Sequence, residues 1–365
     1  MNKTLTGKLG RILDMMFGSY SDKIKIIANV LVHDWTILPP DFYQESSLFA
    51  IKKEEVEAAF SELDPESADV VLRFLQVQQI FAEASKYPEY FFFNTGKLFK
   101  AKEKKQRKKL QKQYLRLCGK SPFPYVGPES ILFHHGLLFF PEAAIRYLSG
   151  GIFIDAGACY GDSTLIFSRF YGPGKIYAFE PSDGNREKML KIMRQLQVPE
   201  LVLELEKYGL GDKAERLVFQ CEENSTFGVQ SKEKTSTAHA VEIITLDDFT
   251  GNKDLKNGIR LIKADLEGMG LAMLKGAEHT IRRNRPVLLL SIYHTREELF
   301  EIYQTLQNWN LNYEFAIRSG VFPLKFGEIT LLGYPAELNS DEEKWKTDEA
   351  MFKHLFESAE ILLKN

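Results

Sequence analysis

Apolar residues recur at helical spacing through the first part of the chain and give way, after residue 150, to short continuous apolar runs separated by turns. Leu9, Ile12, Leu13 and Met16, then Ile24, Ile27, Ala28 and Leu31, predict two short helices broken between residues 18 and 21. Beyond Pro39 and Pro40, residues 54–63 and, behind Pro65, 66–86 read as further amphipathic helices. Residues 89–93 (Glu-Tyr-Phe-Phe-Phe) are aromatic enough to serve as a packing face for this helical region. Residues 130–140 predict a short β segment or hairpin, in which adjacent His134 and His135 would face opposite sides. A helix over 141–148 follows.

The second half alternates the two periods. Ile152, Phe153 and Ile154 form an apolar strand ended by Asp155; Gly157 and Gly161 mark a turn; Leu165, Ile166, Phe167 and Phe170 then fall at helical spacing. The chain continues with a strand over 175–179 ending at Glu180, a helix over 185–197, a strand over 201–207 and a turn over 208–212. Strands over 216–221 and 240–246 flank a polar loop, 222–238, suited to a mobile flap. Next come a strand over 259–264, a helix over 270–283, a strand over 285–294 and a helix over 296–309. Strands over 313–317 and 328–334, joined without a helix, fit an antiparallel hairpin that finishes a sheet. The acidic tail, 337–365, reads as a helix with Trp345, Met351, Phe352, Leu355, Phe356 and Leu362 as its apolar face. The expected organisation is a helical domain over 1–125, an α/β domain over 126–335 and a packed helix over 336–365.

At 365 residues the chain accommodates two domains, and 44% hydrophobic with 27% charged residues is the composition of a soluble globular protein. A net charge of −3 disfavours a general nucleic-acid binder. The charge is segregated: residues 100–120 hold ten Lys or Arg and one acid, a net of +9, which leaves about −12 elsewhere. That run reads as a solvated helix or as an electrostatic guide for an anionic acceptor or membrane surface. Cys118, Cys159 and Cys221 are odd in number and lack CxxC spacing, so a reducing compartment is expected, with no disulfide framework and no structural zinc. No apolar stretch reaches bilayer length, and the expected location is cytoplasmic.

The strand, glycine turn and helix over 152–170 are the start of a mononucleotide-binding unit. Gly157 permits the sharp turn and close approach of a ligand, and Asp162, Ser163 and Thr164 are natural caps of a helix whose first N–H groups face the crevice. Glu180, at the end of the second strand, suits a ribose diol. The spacing Asp155-x-Gly157-x-x-x-Gly161 differs from the G-x-G-x-x-G of diphosphate binders, and Asp155 with Asp162 would repel a diphosphate. Two acids suit a cationic ligand such as S-adenosylmethionine (SAM), which carries a sulfonium, an ammonium and a ribose but no phosphate. Gly209, Leu210 and Gly211 would let the chain pass close to an adenine. Asp265 and Glu267 stand at the carboxyl end of one strand, and Tyr293 and His294 at the mouth of another.

The motifs Asp155-Ala-Gly-Ala-Cys-Tyr-Gly-Asp162, Tyr177-Ala-Phe-Glu-Pro181, Ile244-Thr-Leu-Asp-Asp-Phe249, Ile262-Lys-Ala-Asp-Leu-Glu-Gly268, Leu274-Lys-Gly-Ala277 and Arg285-Pro-Val-Leu-Leu-Leu-Ser-Ile-Tyr-His294 resemble, in register over about residues 150–335, the FkbM family of SAM-dependent methyltransferases. The resemblance implies an α/β class I methyltransferase fold with a Rossmann-like, seven-stranded, mostly parallel sheet whose last strand is antiparallel. It also implies SAM as cofactor and methyl transfer to a hydroxyl of a sugar, glycan or natural product. Carried over residue by residue, Asp155, Gly157 and Gly161 form the SAM turn, Glu180 binds the ribose and Asp265 lies beside the methionine moiety; Ala158, Asp162, Pro181 and Gly211 complete the candidate cofactor site. Two departures stand out. Met269-Gly270-Leu271 replaces a second glutamate common after the Asp-x-Glu-Gly motif, and Cys159-Tyr160 replaces the usual Asn-Ile of the turn.

His294, with an ordinary pKa near neutrality, is the candidate base, and Asp265 or Glu267 would orient it or take the proton. The reading adopted needs no metal; alternatively these three residues hold a divalent cation that polarises the acceptor hydroxyl. Expected partners are a small-molecule or glycan acceptor and no nucleic acid, with the N-terminal helices as a candidate homodimer contact. The competing reading is a non-catalytic module that recruits a glycan, lipid or protein.

Overall fold

The computed structural model describes residues 47–86, 133–221, 228–230, 238–251, 253, 255–319, 328–339 and 345–346. The helices expected over 8–35, the aromatic stretch 89–93, the basic run 100–120, most of the polar loop 222–238 and nearly all of the tail helix lie outside the described residues. No helix among the described residues is long and apolar enough to cross a membrane.

Helices α1 (Lys53–Ala59) and α2 (Pro65–Lys86) come first, then a short 3₁₀ turn over His134–Phe139 and helix α3 (Glu142–Leu148). The α/β body follows with β1 (Ile152–Ala156), α4 (Asp162–Phe170), β2 (Lys175–Phe179), α5 (Asp183–Gln195) and β3 (Leu203–Glu206). Strands β4 (Gly209–Leu210), β5 (Glu215–Cys221), β6 (Gly228–Gln230) and β7 (Ala238–Ile244) lead to α6 (Leu246–Gly251) and β8 (Ile259–Ala264). The chain ends its described course through α7 (Gly270–Lys275), α8 (Glu278–Asn284), β9 (Val287–Ser291), α9 (Arg296–Asn308), β10 (Tyr313–Arg318) and β11 (Thr330–Pro335).

The main sheet has seven strands in the order β10-β11-β9-β8-β1-β2-β3. All pairs from β9 to β3 are parallel, and β11 runs antiparallel to both β9 and β10. This is the class I methyltransferase fold expected from the sequence, with its antiparallel last strand. The central strands are buried on both faces, which explains their nearly continuous apolar runs. Ile152, Ile154 and Ala156 enter the core on one face with Leu274, Ile281 and Leu299, while Phe153 enters the other with Phe167, Leu148 and Leu289. Trp345 packs on Phe140 and Tyr334 on that second face.

Part of the expected N-terminal helical region shares this core. Val56, Phe60, Val71 and Phe74 belong to the same buried cluster as Phe300 and Tyr303 of α9. At the sheet edge, Ser67 Oγ accepts the Ile317 N–H at 2.9 Å, and the buried Arg318 guanidinium pairs with Asp64 Oδ2 at 2.7 Å. Helix α2 thus occupies hydrogen-bonding positions that an exposed edge strand would leave open.

Four local expectations are corrected. Residues 133–140 form a tight turn instead of a β segment: His134, His135 and Gly136 have φ of 51°, 52° and 98°, three successive left-handed residues that no strand contains. Residues 228–230, inside the expected flap, pair with β5 as the edge strand of a four-stranded sheet ordered β4-β7-β5-β6. The helix expected over 270–283 is two, because an added Cβ at Gly276 would lie 2.0 Å from the Gly211 carbonyl oxygen; the chain breaks there to let the two backbones touch. Helix α6, absent from the periodicity reading, is too short to show a period. Its Asp247 accepts the His279 and Thr280 N–H groups at 3.0 and 2.7 Å and so caps α8.

Candidate active site

The carboxyl ends of β1, β2, β8 and β9 open side by side, and the chain segments that leave them form the crevice where parallel sheets bind ligands. Gly157 leaves β1 with φ +74°. An added Cβ there would meet the Asp265 carbonyl oxygen at 1.9 Å, so the close approach that requires glycine is to the chain's own β8 end.

The turn's N–H groups are engaged within the protein. Gly157 and Ala158 both donate to the Phe179 carbonyl at 3.0 Å, and Cys159 donates to Glu180 Oε2 at 3.0 Å. The two turn acids are also matched. Asp155, fully buried, accepts the Ser163 and Thr164 hydroxyls at 2.7 Å each and lies 3.3 Å from Lys263 Nζ. Asp162 Oδ2 is 3.1 Å from His135 Nε2. The sequence argument from repulsion between Asp155, Asp162 and a diphosphate is therefore corrected. The engaged N–H groups of Gly157, Ala158 and Cys159 offer a phosphate nothing, because a nest binds an anion only through free donors. Ser163 and Thr164 do not cap α4; its N-cap is Gly161, without a side-chain bond.

Glu180 stands at the end of β2, 7% exposed, its carboxylate oriented by the Cys159 and Ser182 N–H groups, one on each oxygen. Burial raises its pKa against those bonds. Oε1 also accepts from Asn185 Nδ2 at 3.4 Å, so Oε2 keeps a lone pair for a ligand donor. Pro181 is half-buried beside it, Ala158 is buried, and Gly161 abuts Met189 and Met193 of α5. Gly211 packs on Ile243.

The third group of predicted residues converges. Nε2 of His294 lies 3.3 Å from Asp265 Oδ1 and 3.4 Å from Glu267 Oε2, without the alignment of a hydrogen bond to either. Its Nδ1 is 2.8 Å from Glu298 Oε2, and Glu298 Oε1 accepts the Gly270 N–H at 2.7 Å. The Tyr293 hydroxyl donates to Asp265 Oδ1 at 3.1 Å. Burial opposes charge on His294, yet the carboxylates of Asp265, Glu267 and Glu298 outweigh it and hold the imidazole cationic well above its usual range. Against its own desolvation, Asp265 is held low by His294 and Lys263. Glu267 is raised to about 8 by burial and by Asp265, Glu328 and Glu298, despite His294. Asp265 and Glu267 keep 31% and 33% of their side-chain surface open, so crevice water reaches both.

Glu298 was not legible as a site residue. Thr295-Arg-Glu-Glu298 reads as a capping box, and Thr295 does cap α9, but the Glu298 carboxylate turns to His294 instead of closing the box. His134 and His135 share the turn below α4. The Tyr171 hydroxyl and His134 Nδ1 are hydrogen-bonded at 2.7 Å, and burial, with the charge of His135, pushes His134 down to about 3. The unfolded chain takes up that proton near pH 6.5 and the folded chain does not, so stability is lost as pH falls from about 6.5 toward 3. Between pH 6.5 and 4.5 the wild type should lose about 2 kcal/mol more than His134→Asn, at 1.36 kcal/mol per unit once the unfolded histidine is mostly protonated, asparagine tolerating the left-handed φ. Urea unfolding at both pH values measures this; equal losses would remove His134 as the cause.

Residues 155–315 match the family model described as the methyltransferase FkbM domain. No curated protein matches the chain. Among solved structures, a methyltransferase FkbM from Methylobacillus flagellatus KT is 16% identical with a TM-score of 0.45 over 76% of this chain, which spans 58% of that protein's length. An rRNA methylase from Streptococcus thermophilus is 15% identical with a TM-score of 0.35, over 53% of this chain and 92% of that one. A structure from Streptococcus mutans described as a methyltransferase in complex with SAH is 13% identical with a TM-score of 0.34, over 53% of this chain and 96% of that one.

Proposed function

Since this chain carries, over residues 155–315, a domain of the FkbM methyltransferase family, we propose that it methylates a hydroxyl oxygen of a sugar, glycan or natural product. SAM is the cofactor of this fold, and when bound it supplies a methyl group activated for in-line displacement by its sulfonium. The residues present fit such a ligand. Glu180 offers a fixed acceptor to a ribose diol, the Gly157, Ala158 and Cys159 N–H groups are already bonded within the protein, and Lys263 and the His135 imidazole already face carboxylates.

The observation that carries the reading is the convergence of Asp265, Glu267 and His294 at the mouths of β8 and β9, beside the glycine turn of β1. Methyl transfer to an alcohol needs alignment and a place for the proton. With the His294 imidazole cationic, the role of base passes to a carboxylate. Glu267, a third open to the crevice and weakened as an acid, is the stronger base of the pair with Asp265. His294, fixed by Glu298, holds the two carboxylates at their stations.

The test is incubation with SAM and a panel of hydroxyl acceptors, followed by mass spectrometry for one added methyl group. Glu267→Gln and His294→Gln should each lower kcat about a hundredfold, with the SAM dissociation constant within about threefold of wild type. Failure to bind SAM in calorimetry while binding NAD would overturn the reading. SAM binding with no transfer to any hydroxyl would favour the non-catalytic module.

A further inference from the structure

We infer that Asp265, Glu267 and His294 form a binding site for a divalent cation of the Mn²⁺ or Mg²⁺ class. One ligand atom from each of the three lies within 4.8 Å of the others. The separations from His294 Nε2, 3.3 Å to Asp265 and 3.4 Å to Glu267, are close to those of neighbouring ligands on one octahedral ion. Metal–ligand bonds of 2.0–2.2 Å put such neighbours about 3 Å apart, so a small contraction completes the set.

The independent sign is the nitrogen. The His294 side chain is only 10% exposed, and its Nε2 is buried with no hydrogen-bond partner, aimed between two carboxylate oxygens. The opposite ring nitrogen is held by Glu298, which is 1% exposed and itself anchored on the Gly270 N–H. A carboxylate behind a histidine in this way holds the proton on Nδ1, so a cation that displaces the other proton meets the Nε2 lone pair of a better ligand. Asp265 is steadied by Tyr293, and the successive left-handed residues Glu267 (φ 51°) and Gly268 (φ 95°) double the chain back so that the glutamate returns to the cluster. Three carboxylates, Asp265, Glu267 and Glu298, surround one imidazole, an excess of negative charge that a divalent ion offsets. Two carboxylates with one imidazole suit Mn²⁺ better than a soft ion, and three protein ligands leave positions open. On the methyltransferase reading, on which this use rests, an open position receives the acceptor oxygen; cation binding itself needs no acceptor and no SAM.

The full chain, stripped with chelator and desalted, is titrated with Mn²⁺ in the absence of SAM and followed by calorimetry and electron paramagnetic resonance. One equivalent should bind, with spin-echo modulation from a coordinated nitrogen. Glu267→Gln, His294→Gln and Glu298→Gln should each weaken binding at least tenfold. Should His294→Gln lose its circular dichroism, Glu267→Gln, at a side chain a third exposed, carries the test. Absence of Mn²⁺ binding, absence of nitrogen modulation, or unchanged affinity in Glu267→Gln would each overturn the site. A parallel SAM titration separates the two readings. SAM without Mn²⁺ removes the cation site alone, and Mn²⁺ without SAM removes the methyltransferase reading alone.

Discussion

Replacing Gly157 with alanine should lower the free energy of unfolding by roughly 3–5 kcal/mol and abolish SAM binding. The new Cβ would stand 1.9 Å from the Asp265 carbonyl oxygen and 3.0 Å from its carbon, and both are backbone atoms. They cannot rotate aside as a side chain would. Nor can the two segments part freely, because the Asp265 N–H donates to the Ala156 carbonyl at 3.1 Å, one residue before the glycine. Relief therefore requires breaking the β1–β8 ladder at its crevice end or tearing the Gly157 N–H from Phe179. Either movement displaces Asp265 from Tyr293 and His294. Gly172→Ala is the control: it shares the left-handed backbone, φ 53°, but its Cβ would meet nothing nearer than Ser149 Oγ at 3.7 Å. Only the cost of the left-handed residue, about 1–2 kcal/mol, should remain there. Urea unfolding of the two variants and SAM calorimetry measure the difference. Equal destabilisation would show that the close approach to β8 contributes nothing.

The contrast between these two glycines marks what a sequence discloses. Glycine at 157 was legible as a necessity, because a strand ended by Asp155 and followed by a helix demands a sharp turn. The neighbour that imposes the necessity was not, since Asp265 is more than a hundred residues away in the chain. The strands of the main sheet were legible because burial on both faces writes continuous apolar runs, and the closing hairpin because no helix fits between β10 and β11. The three-residue strand β6 and the six-residue helix α6 lack the length to show a period. In the site, Asp265, Glu267 and His294 were found because they end strands. Glu298 and His135 were not assigned their contacts, because the first looks like a capping residue and the second lies in a left-handed turn that no propensity announces. Polar groups that face one another across the sheet leave no periodic trace.

Lys263 belongs to that unannounced class, and Lys263→Met should cost about 3–5 kcal/mol. In the pattern it is a single polar residue within an apolar strand, Ile-Arg-Leu-Ile-Lys-Ala. In the fold its ammonium is buried between β8 and β1, 2.7 Å from the Gly157 carbonyl and 3.3 Å from Asp155 Oδ1. Burial opposes its charge, but Asp155, Asp265 and Asp162 together raise its pKa and keep it cationic. Methionine fills much of the same volume and removes the charge, leaving Asp155, which has no exposed surface, with two hydroxyl donors and no cation. Removing one partner of a buried pair is the expensive change; removing both is cheaper. Asp155→Asn added to Lys263→Met should therefore return about 1–2 kcal/mol of the loss. Additive losses in the double variant, read by urea unfolding, would show that the two charges do not depend on each other. The same lysine also fixes the direction of the Gly157 carbonyl beneath the turn. In Lys263→Met that peptide loses its anchor beside Asp265, so SAM affinity should fall together with stability, whereas a lysine that only supported the core would leave the affinity of the folded fraction unchanged.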